Sequence, residues 1–378
     1  MRYHHVCLES IAYTLPEEVI TSAEIESRLA PLYRRLNLPE GRLELMTGIR
    51  ERRFWPEGTL PSEISIVSAD KALALAQMDK RHVGALIHGS VCRDVLEPAT
   101  ASRVHRGVGL PRECTVYDVS NACLGLLNGM VQVANMIELG QIQAGVVVGT
   151  EGGRQLVENT IATLNADASL TRQQVKLAIA SLTIGSASAA VVLCHRELSR
   201  TGNRLTTALA YCNTDHVDLC HSGADEAVAG GMKPLMQTDS ERLLEAGIDT
   251  AADCFPQFLA ETGWNLGQID KTVCHQVGKA HRAGVFAALG LDEALDYSTV
   301  EFLGNTGSAA LPVTAALAAE RGHVQPRDRV AFLGIGSGIN VVMLGVEAAM
   351  NWSKPGESLL RLYPQQDNRR TRAGTAGA

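Results

Sequence analysis

Short apolar runs and longer stretches of helical spacing take turns along this chain. Ala85–Ser90, Thr115–Val119, Ala144–Gly149 and Ala187–Cys194 read as strands, and Leu205–Cys212, Lys271–Cys274 and Val330–Gly334 continue the theme further on. Between them, Ser68–Ala76, Leu124–Leu139, Ser240–Thr262, Lys279–Leu289 and Pro312–Arg321 space their apolar residues as helices with a buried face do. Runs that are apolar on both faces belong to strands covered on both sides by helices. The alternation therefore predicts an α/β protein with a largely buried sheet. Because the pattern recurs after about residue 200, two similar halves, 1–200 and 201–350, are the economical reading. Residues 159–182 read as a polar helical stretch, 213–238 as an irregular glycine-rich surface excursion, and 351–378 as a loosely held polar tail.

Composition narrows the picture. A chain of 378 residues, 46% hydrophobic, buries a large core, and single cores stop growing at about 250–300 residues, which again favours two halves. The net charge is −7, and basic residues are scattered except at 50–53 and 369–372, which argues against nucleic acid as a partner. Nine cysteines, an odd number with no CxxC pair, suit a reducing cytoplasm better than a disulfide framework. The N-terminal Met-Arg-Tyr-His-His-Val-Cys lacks an apolar signal core, and no window approaches the ~20 apolar residues that span a bilayer. A cytoplasmic protein without a membrane span is expected.

Four places carry candidate chemistry. Cys123 lies in Asp118-Val-Ser-Asn-Ala-Cys-Leu-Gly, where a strand breaks into small residues just before a helix, and a helix N-terminus favours the thiolate. A buried free cysteine accounts for it equally well. His275 ends a strand-like run ahead of a helix, the position where α/β sheets face their ligands, though a core histidine fits the same run. Asn305 stands in the glycine-punctuated turn Gly304-Asn-Thr-Gly307, which presents an amide to a cavity or simply forms an Asx turn. Gly334-Ile-Gly-Ser-Gly338 follows a strong strand, and its glycines let backbone N–H groups, that of Ser337 among them, approach a ligand. Together a thiol, a histidine, an amide donor and exposed N–H groups of Cys123 and the Ser337 turn equip a site for acyl transfer through a thioester. In the cluster Cys212, His216, Cys220 and His221 the i, i+4, i+8 spacing of the first three would align metal ligands on one helix face, but Asp215, Asp218 and Gly223 point to a loop, and no metal is expected.

From about residue 5 to 348 the chain resembles the thiolase superfamily, in its ketoacyl synthase III branch. The resemblance rests on Thr47-Gly-Ile-Arg-Glu-Arg-Arg53, Asn121-Ala-Cys123, His275-Gln276, Gly304-Asn305 and the Gly334–Gly338 turn, in that order. It implies a five-layered α-β-α-β-α body, with Cys123 as acyl carrier and His275 and Asn305 as donors to an enolate oxygen. Leu96-Glu-Pro-Ala-Thr-Ala-Ser102 is similar to a segment of the head-to-head acyl-CoA condensing thiolases of bacterial olefin synthesis. There the matching glutamate enters the partner subunit's site as the base for an α-proton, so the resemblance implies a homodimer and that role for Glu97. A second acyl-CoA has no carboxylate to lose, so its α-proton needs a base, whereas malonyl thioesters form the carbanion by decarboxylation. A residue favoured by the dipole ahead of Pro98 is the plainer account of Glu97.

The expected activity is Claisen condensation of two acyl-CoA thioesters to a 2-alkyl-3-oxoacyl product, with no cofactor beyond the CoA thioesters that serve as substrates. Arg50, Arg52, Arg53 and Arg282 are candidate contacts for CoA phosphates or for an acidic acyl carrier protein. The alternatives are a decarboxylating 3-oxoacyl carrier-protein synthase III, a non-catalytic partner subunit, or an acyltransferase to an alcohol or amine.

Overall fold

Thirteen strands and their covering helices are described by a computed structural model over residues 1–222 and 236–353. The strands are β1 (Val6–Thr14), β2 (Glu18–Thr21), β3 (Glu51–Phe54), β4 (Val83–Gly89), β5 (Thr115–Val119), β6 (Ala144–Glu151), β7 (Ala187–His195), β8 (Arg204–Cys212), β9 (Cys220–Ser222), β10 (Met236–Thr238), β11 (Lys271–Cys274), β12 (Arg329–Gly336) and β13 (Asn340–Glu347). Nine of them follow the order β11-β12-β13-β8-β1-β7-β6-β4-β5. Within that order β1 meets β8 through the single pair Cys7↔Arg204, so the strands divide into β5-β4-β6-β7-β1 and β8-β13-β12-β11. The pairs β4·β5, β4·β6 and β11·β12 are parallel; the others in the two groups are antiparallel.

Helices Gly125–Glu138 and Ala310–Glu320 lie between the two sheets. Their side chains share one core with Val191 and Leu193 of β7 on one side and Phe332 and Leu344 of β12 and β13 on the other. A helix so placed has no solvent face, and Ala310–Glu320 is buried from Ala310 to Ala319. Pro61–Ala76 and Thr100–Val108 cover the outside of the first sheet, while Ser240–Thr262 and Lys279–Leu289 cover the outside of the second. The result is the five-layered α-β-α-β-α arrangement.

The strong apolar runs predicted as strands form β4 to β8, β11 and β12 to within a few residues. β1 escaped that pattern because Glu9 and Ser10 interrupt it. Both are buried, with the Glu9 carboxylate accepting from Ser199 Oγ at 2.6 Å and Arg200 N at 3.0 Å, and Ser10 Oγ donating to Ala72 O at 2.8 Å. The polar stretch 159–182 is not one helix but Arg154–Ala166, Arg172–Ala178 and a short turn of helix at Ile179–Thr183. Of the excursion 213–238, Thr214–Leu219 form short 3-10 turns that break at His216, and β9 pairs with β10; residues 223–235, and the tail from residue 354, lie outside the described residues.

Candidate active site

Cys123 occupies the turn between β5 and the central helix Gly125–Glu138. Ala122 takes φ +44°, a left-handed conformation uncommon for a residue with a side chain, and Leu124 N closes the turn on Asn121 O at 2.8 Å. The helix start is pressed against the end of β4. A Cβ on Gly125 would stand 2.8 Å from the Gly89 carbonyl carbon, and one on Gly89 would stand 2.5 Å from Gly125 O, so only glycine fits either place. Three asparagines hold the turn: Asn121 Nδ2 donates to Asn128 Oδ1 at 2.8 Å, and Asn340 Nδ2 reaches Asn121 Oδ1 and Ser337 O, each at 3.3 Å. The glycine turn after β12 therefore packs on the thiol's own backbone. A Cβ on Gly336 would lie 3.5 Å from Cys123 N.

His275 leaves the end of β11 with its N–H on Leu333 O at 3.0 Å. Its neighbour Gln276 fixes that exit, because Nε2 donates to Cys274 O at 2.7 Å while Oε1 accepts from Ser298 Oγ, Thr299 N and Val300 N at 3.0–3.2 Å. Asn305 is held by its backbone to Thr183 O and Gly185 N, and its Oδ1 accepts from Gly307 N at 3.0 Å. That leaves the amide nitrogen as the donor facing the cavity. Cys123, His275, Asn305 and Ser337 line one cavity of about 1640 Å³, whose apolar wall includes Leu243, Leu244, Ile335 and Ile339. The site residues proposed from four distant stretches of sequence thus converge on one space.

The electrostatics differ from the expectation of a resting thiolate. Burial pushes the Cys123 thiol up to about 12, and the nearby Glu151 and Cys220 add to the rise. Burial, and then the proximity of His281, depresses His275 to about 3, so the imidazole is neutral at working pH; its Nδ1 has no hydrogen-bond partner among the described residues. A neutral imidazole that shares a cavity with a protonated thiol can serve as a proton acceptor.

Sequence reasoning missed two side chains in this cavity. His281 lines the wall with His275 and is itself lowered to about 4 by burial. Glu151 ends β6 fully inside the site. Its Oε1 accepts the Ser308 hydroxyl in a short bond, together with Ser308 N at 3.3 Å and Val91 N at 3.4 Å, and burial raises its carboxyl. The available signal was its position at the carboxyl end of an apolar strand, in Gly149-Thr-Glu-Gly-Gly153, where α/β folds place ligand-facing residues.

Glu97 does not line the cavity of its own chain. It is exposed in the segment before helix Thr100–Val108, beside the exposed Val91, Val95 and Leu96. The arginines read as candidate CoA contacts each have surroundings within the protein. Arg53 is buried with Nη1 on Pro16 O at 2.8 Å, Arg52 is fully buried, Arg50 pairs with Glu301 at 2.9 Å, and Arg282 pairs with Asp296 and Glu293 at 2.7 and 2.8 Å. None of the four lines the cavity; Arg93, Arg154, Lys176 and Lys279 do. Among the described residues no cluster of three His, Cys, Asp or Glu is placed to hold a metal, and no helix is long and apolar enough to cross a membrane.

Two family models match the chain: thiolase, N-terminal domain, over residues 46–179, and 3-oxoacyl-[acyl-carrier-protein] synthase III C terminal over residues 259–347. An acyl-CoA:acyl-CoA alkyltransferase of Shewanella oneidensis is 43% identical over 350 residues, covering 92% of this chain and 100% of the relative. One of Xanthomonas campestris pv. campestris is 33% identical over 346 residues, covering 92% and 99%. Among solved structures, a cysteine-to-serine variant of Xanthomonas campestris OleA with bound lauric acid and lauroyl-CoA superposes with a TM-score of 0.85 at 33% identity, covering 91% of this chain and 99% of that one. Structures of the same OleA with substitutions at a histidine and at a glutamate align equally well.

Proposed function

The chain belongs to the thiolase superfamily, in its acyl-CoA:acyl-CoA alkyltransferase family, and we propose from this that it joins two acyl-CoA thioesters through an acyl-Cys123 intermediate. The observation that carries the assignment of roles is the convergence of Cys123, His275 and Asn305 on one large cavity with an apolar wall. Cys123 Sγ attacks the first thioester carbonyl; a carbon–sulfur bond forms, the bond to CoA breaks, and His275 relays the thiol proton to the departing CoA sulfur. Backbone N–H groups of Cys123 and Ser337 receive the oxyanion. The second acyl-CoA then gives up its α-proton to a carboxylate, with His275 and the Asn305 amide donating to the enolate oxygen. The carbanion attacks the acyl-Cys123 carbonyl, a carbon–carbon bond forms, and the thiolate leaves. The product is a 2-alkyl-3-oxoacyl-CoA.

The carboxylate in this scheme is Glu97 of the partner subunit in a homodimer. Its support is its exposure on an apolar segment outside its own cavity, and the glutamate and cysteine substituted in the Xanthomonas campestris OleA structures have the spacing of Glu97 and Cys123. Acyl groups come from CoA or from an acyl carrier protein, and the free thiols suit a reducing cytoplasm. The test supplies purified protein with acyl-CoA alone. Release of CoA and a 3-oxo product without malonyl thioester supports condensation of two acyl chains, whereas dependence on malonyl thioester with carbon dioxide release refutes it. Glu97→Ala should abolish the condensed product while leaving acylation of Cys123 intact; unchanged turnover removes Glu97 from the scheme.

A further inference from the structure

Glu97 stands at the apex of a small closed loop. Asp94 N donates to Thr100 Oγ1 at 3.2 Å, so the chain leaves the body at Asp94, returns at Thr100 and is tied to itself across the base. Glu97 lies midway, three residues from either end. Val95, Leu96, Glu97 and Pro98 are exposed, whereas the Asp94 side chain is 1% exposed and Thr100 is buried. Asp94 also fastens the loop to the outer helical layer. Its Oδ1 accepts from Ser62 N at 2.9 Å, a first-turn donor that the helix Pro61–Ala76 cannot pair internally. On the returning side, Thr100 N and Ala101 N each donate to the Asp118 carboxylate at 2.8 Å.

A buried carboxylate is a costly anchor for packing alone. Asp94 Oδ2 has no hydrogen-bond partner among the described residues, and its ion-pair partner, Arg103 Nε, lies at 3.6 Å on a half-exposed side chain where solvent screens the attraction. What the carboxylate secures is the geometry of the loop. Three residues span at most about 11 Å, so ties at 94 and at 100 confine the backbone of Glu97 to a short arc outside its own cavity. We propose that Asp94 is a positioning residue for the α-proton base, holding the Glu97 loop in the shape that lets its carboxylate enter the cavity of a second copy of this chain. This rests on the reading of Glu97 as the base for the neighbouring subunit and adds the group that sets its reach.

The experiment uses the full chain and lauroyl-CoA, with the first-turnover burst of CoA reporting acylation of Cys123 and the mass of the steady-state product reporting condensation. Asp94→Ala should keep acylation within about twofold of wild type and lower kcat for condensation on the order of 100-fold, the scale of a 1 Å misplacement. Asp94→Asn, which keeps an Oδ1 acceptor for Ser62 N, should restore most of that loss. Thr100→Val opens the base of the loop while sparing the carboxylate; it should show the same split with a smaller loss, and it carries the test if Asp94→Ala does not fold. Mixed dimers separate positioning from general damage. With Asp94→Ala and Cys123→Ala in one chain and a wild-type partner, the surviving thiol meets the altered loop, and condensation should fall. With the two substitutions in opposite chains the surviving thiol meets an intact loop, and condensation should match that of wild type paired with Cys123→Ala. Equal activity in the two arrangements, or equal loss of acylation and condensation, overturns the inference while leaving the role of Glu97 in place. Full condensation by Glu97→Ala overturns both.

Discussion

Removing the Glu151 carboxyl should damage catalysis more than stability, because that group ties the turn that carries Asn305 to the end of β6. Its Oε1 accepts from Ser308 N at 3.3 Å and Val91 N at 3.4 Å as well as from the Ser308 hydroxyl. In Glu151→Ala the hydroxyl still has Gly89 O at 2.8 Å, so its loss is small. The two amide bonds are long and belong at the low end of the roughly 1–3 kcal/mol for an orphaned buried donor. Adding the void left by the side chain gives about 2–3 kcal/mol of lost stability. The Asn305 turn, only two to three residues from Ser308, would then relax, and a displacement of about 1 Å at a donor costs on the order of 100-fold in rate. Glu151→Gln keeps an Oε1 acceptor in place for Ser308 N and Val91 N while removing the carboxyl's capacity for charge. The assay is kcat and KM for condensation beside chemical denaturation of both variants. Glutamine should retain activity within about threefold while alanine loses about 100-fold in kcat with KM little changed. If glutamine proves as damaging as alanine, the charge matters and the positioning argument is wrong; an active alanine variant is equally fatal to it.

Further expectations concern protons and packing. With its thiol raised to about 12, Cys123 should be alkylated by iodoacetamide at a rate that climbs with pH through 9 without levelling; a plateau below pH 8 contradicts the buried, protonated thiol. His275 and His281 have folded pKa values depressed from 6.5 to about 3 and about 4, so the unfolded chain binds protons first. The stability they contribute is present above pH 6.5 and is lost as pH falls toward those values. His281→Gln should therefore flatten the fall in denaturation free energy between pH 6.5 and 4, and an unaltered slope argues against a buried neutral imidazole. Gln276→Ala leaves Thr299 N, Val300 N and Cys274 O without their buried partner and should cost about 3–5 kcal/mol, read as a lower urea midpoint. A loss below 1 kcal/mol would show that water reaches those groups.

What the sequence determined by itself was the alternation of elements and the identity of the candidate side chains. Apolar runs and helical periodicity are local properties, and β6 or the helix Ser240–Thr262 is legible from its own residues. Cys123, His275 and Asn305 stand out in the same way, each at a break between elements. Tertiary structure decided what those residues experience. The thiol's rise to about 12 depends first on desolvation that no local pattern encodes, and then on Glu151 and Cys220, which are remote from the Cys123 turn in the chain. Arg53 and Arg282 looked like free cations, and only the fold revealed that Pro16 O, Asp296 and Glu293 already engage them. β1 was hidden because a buried carboxylate reads as a surface residue until the loop at Ser199–Thr201 folds over it. Reactivity, burial and pairing are properties of neighbours in space, and sequence order does not fix which neighbours those are.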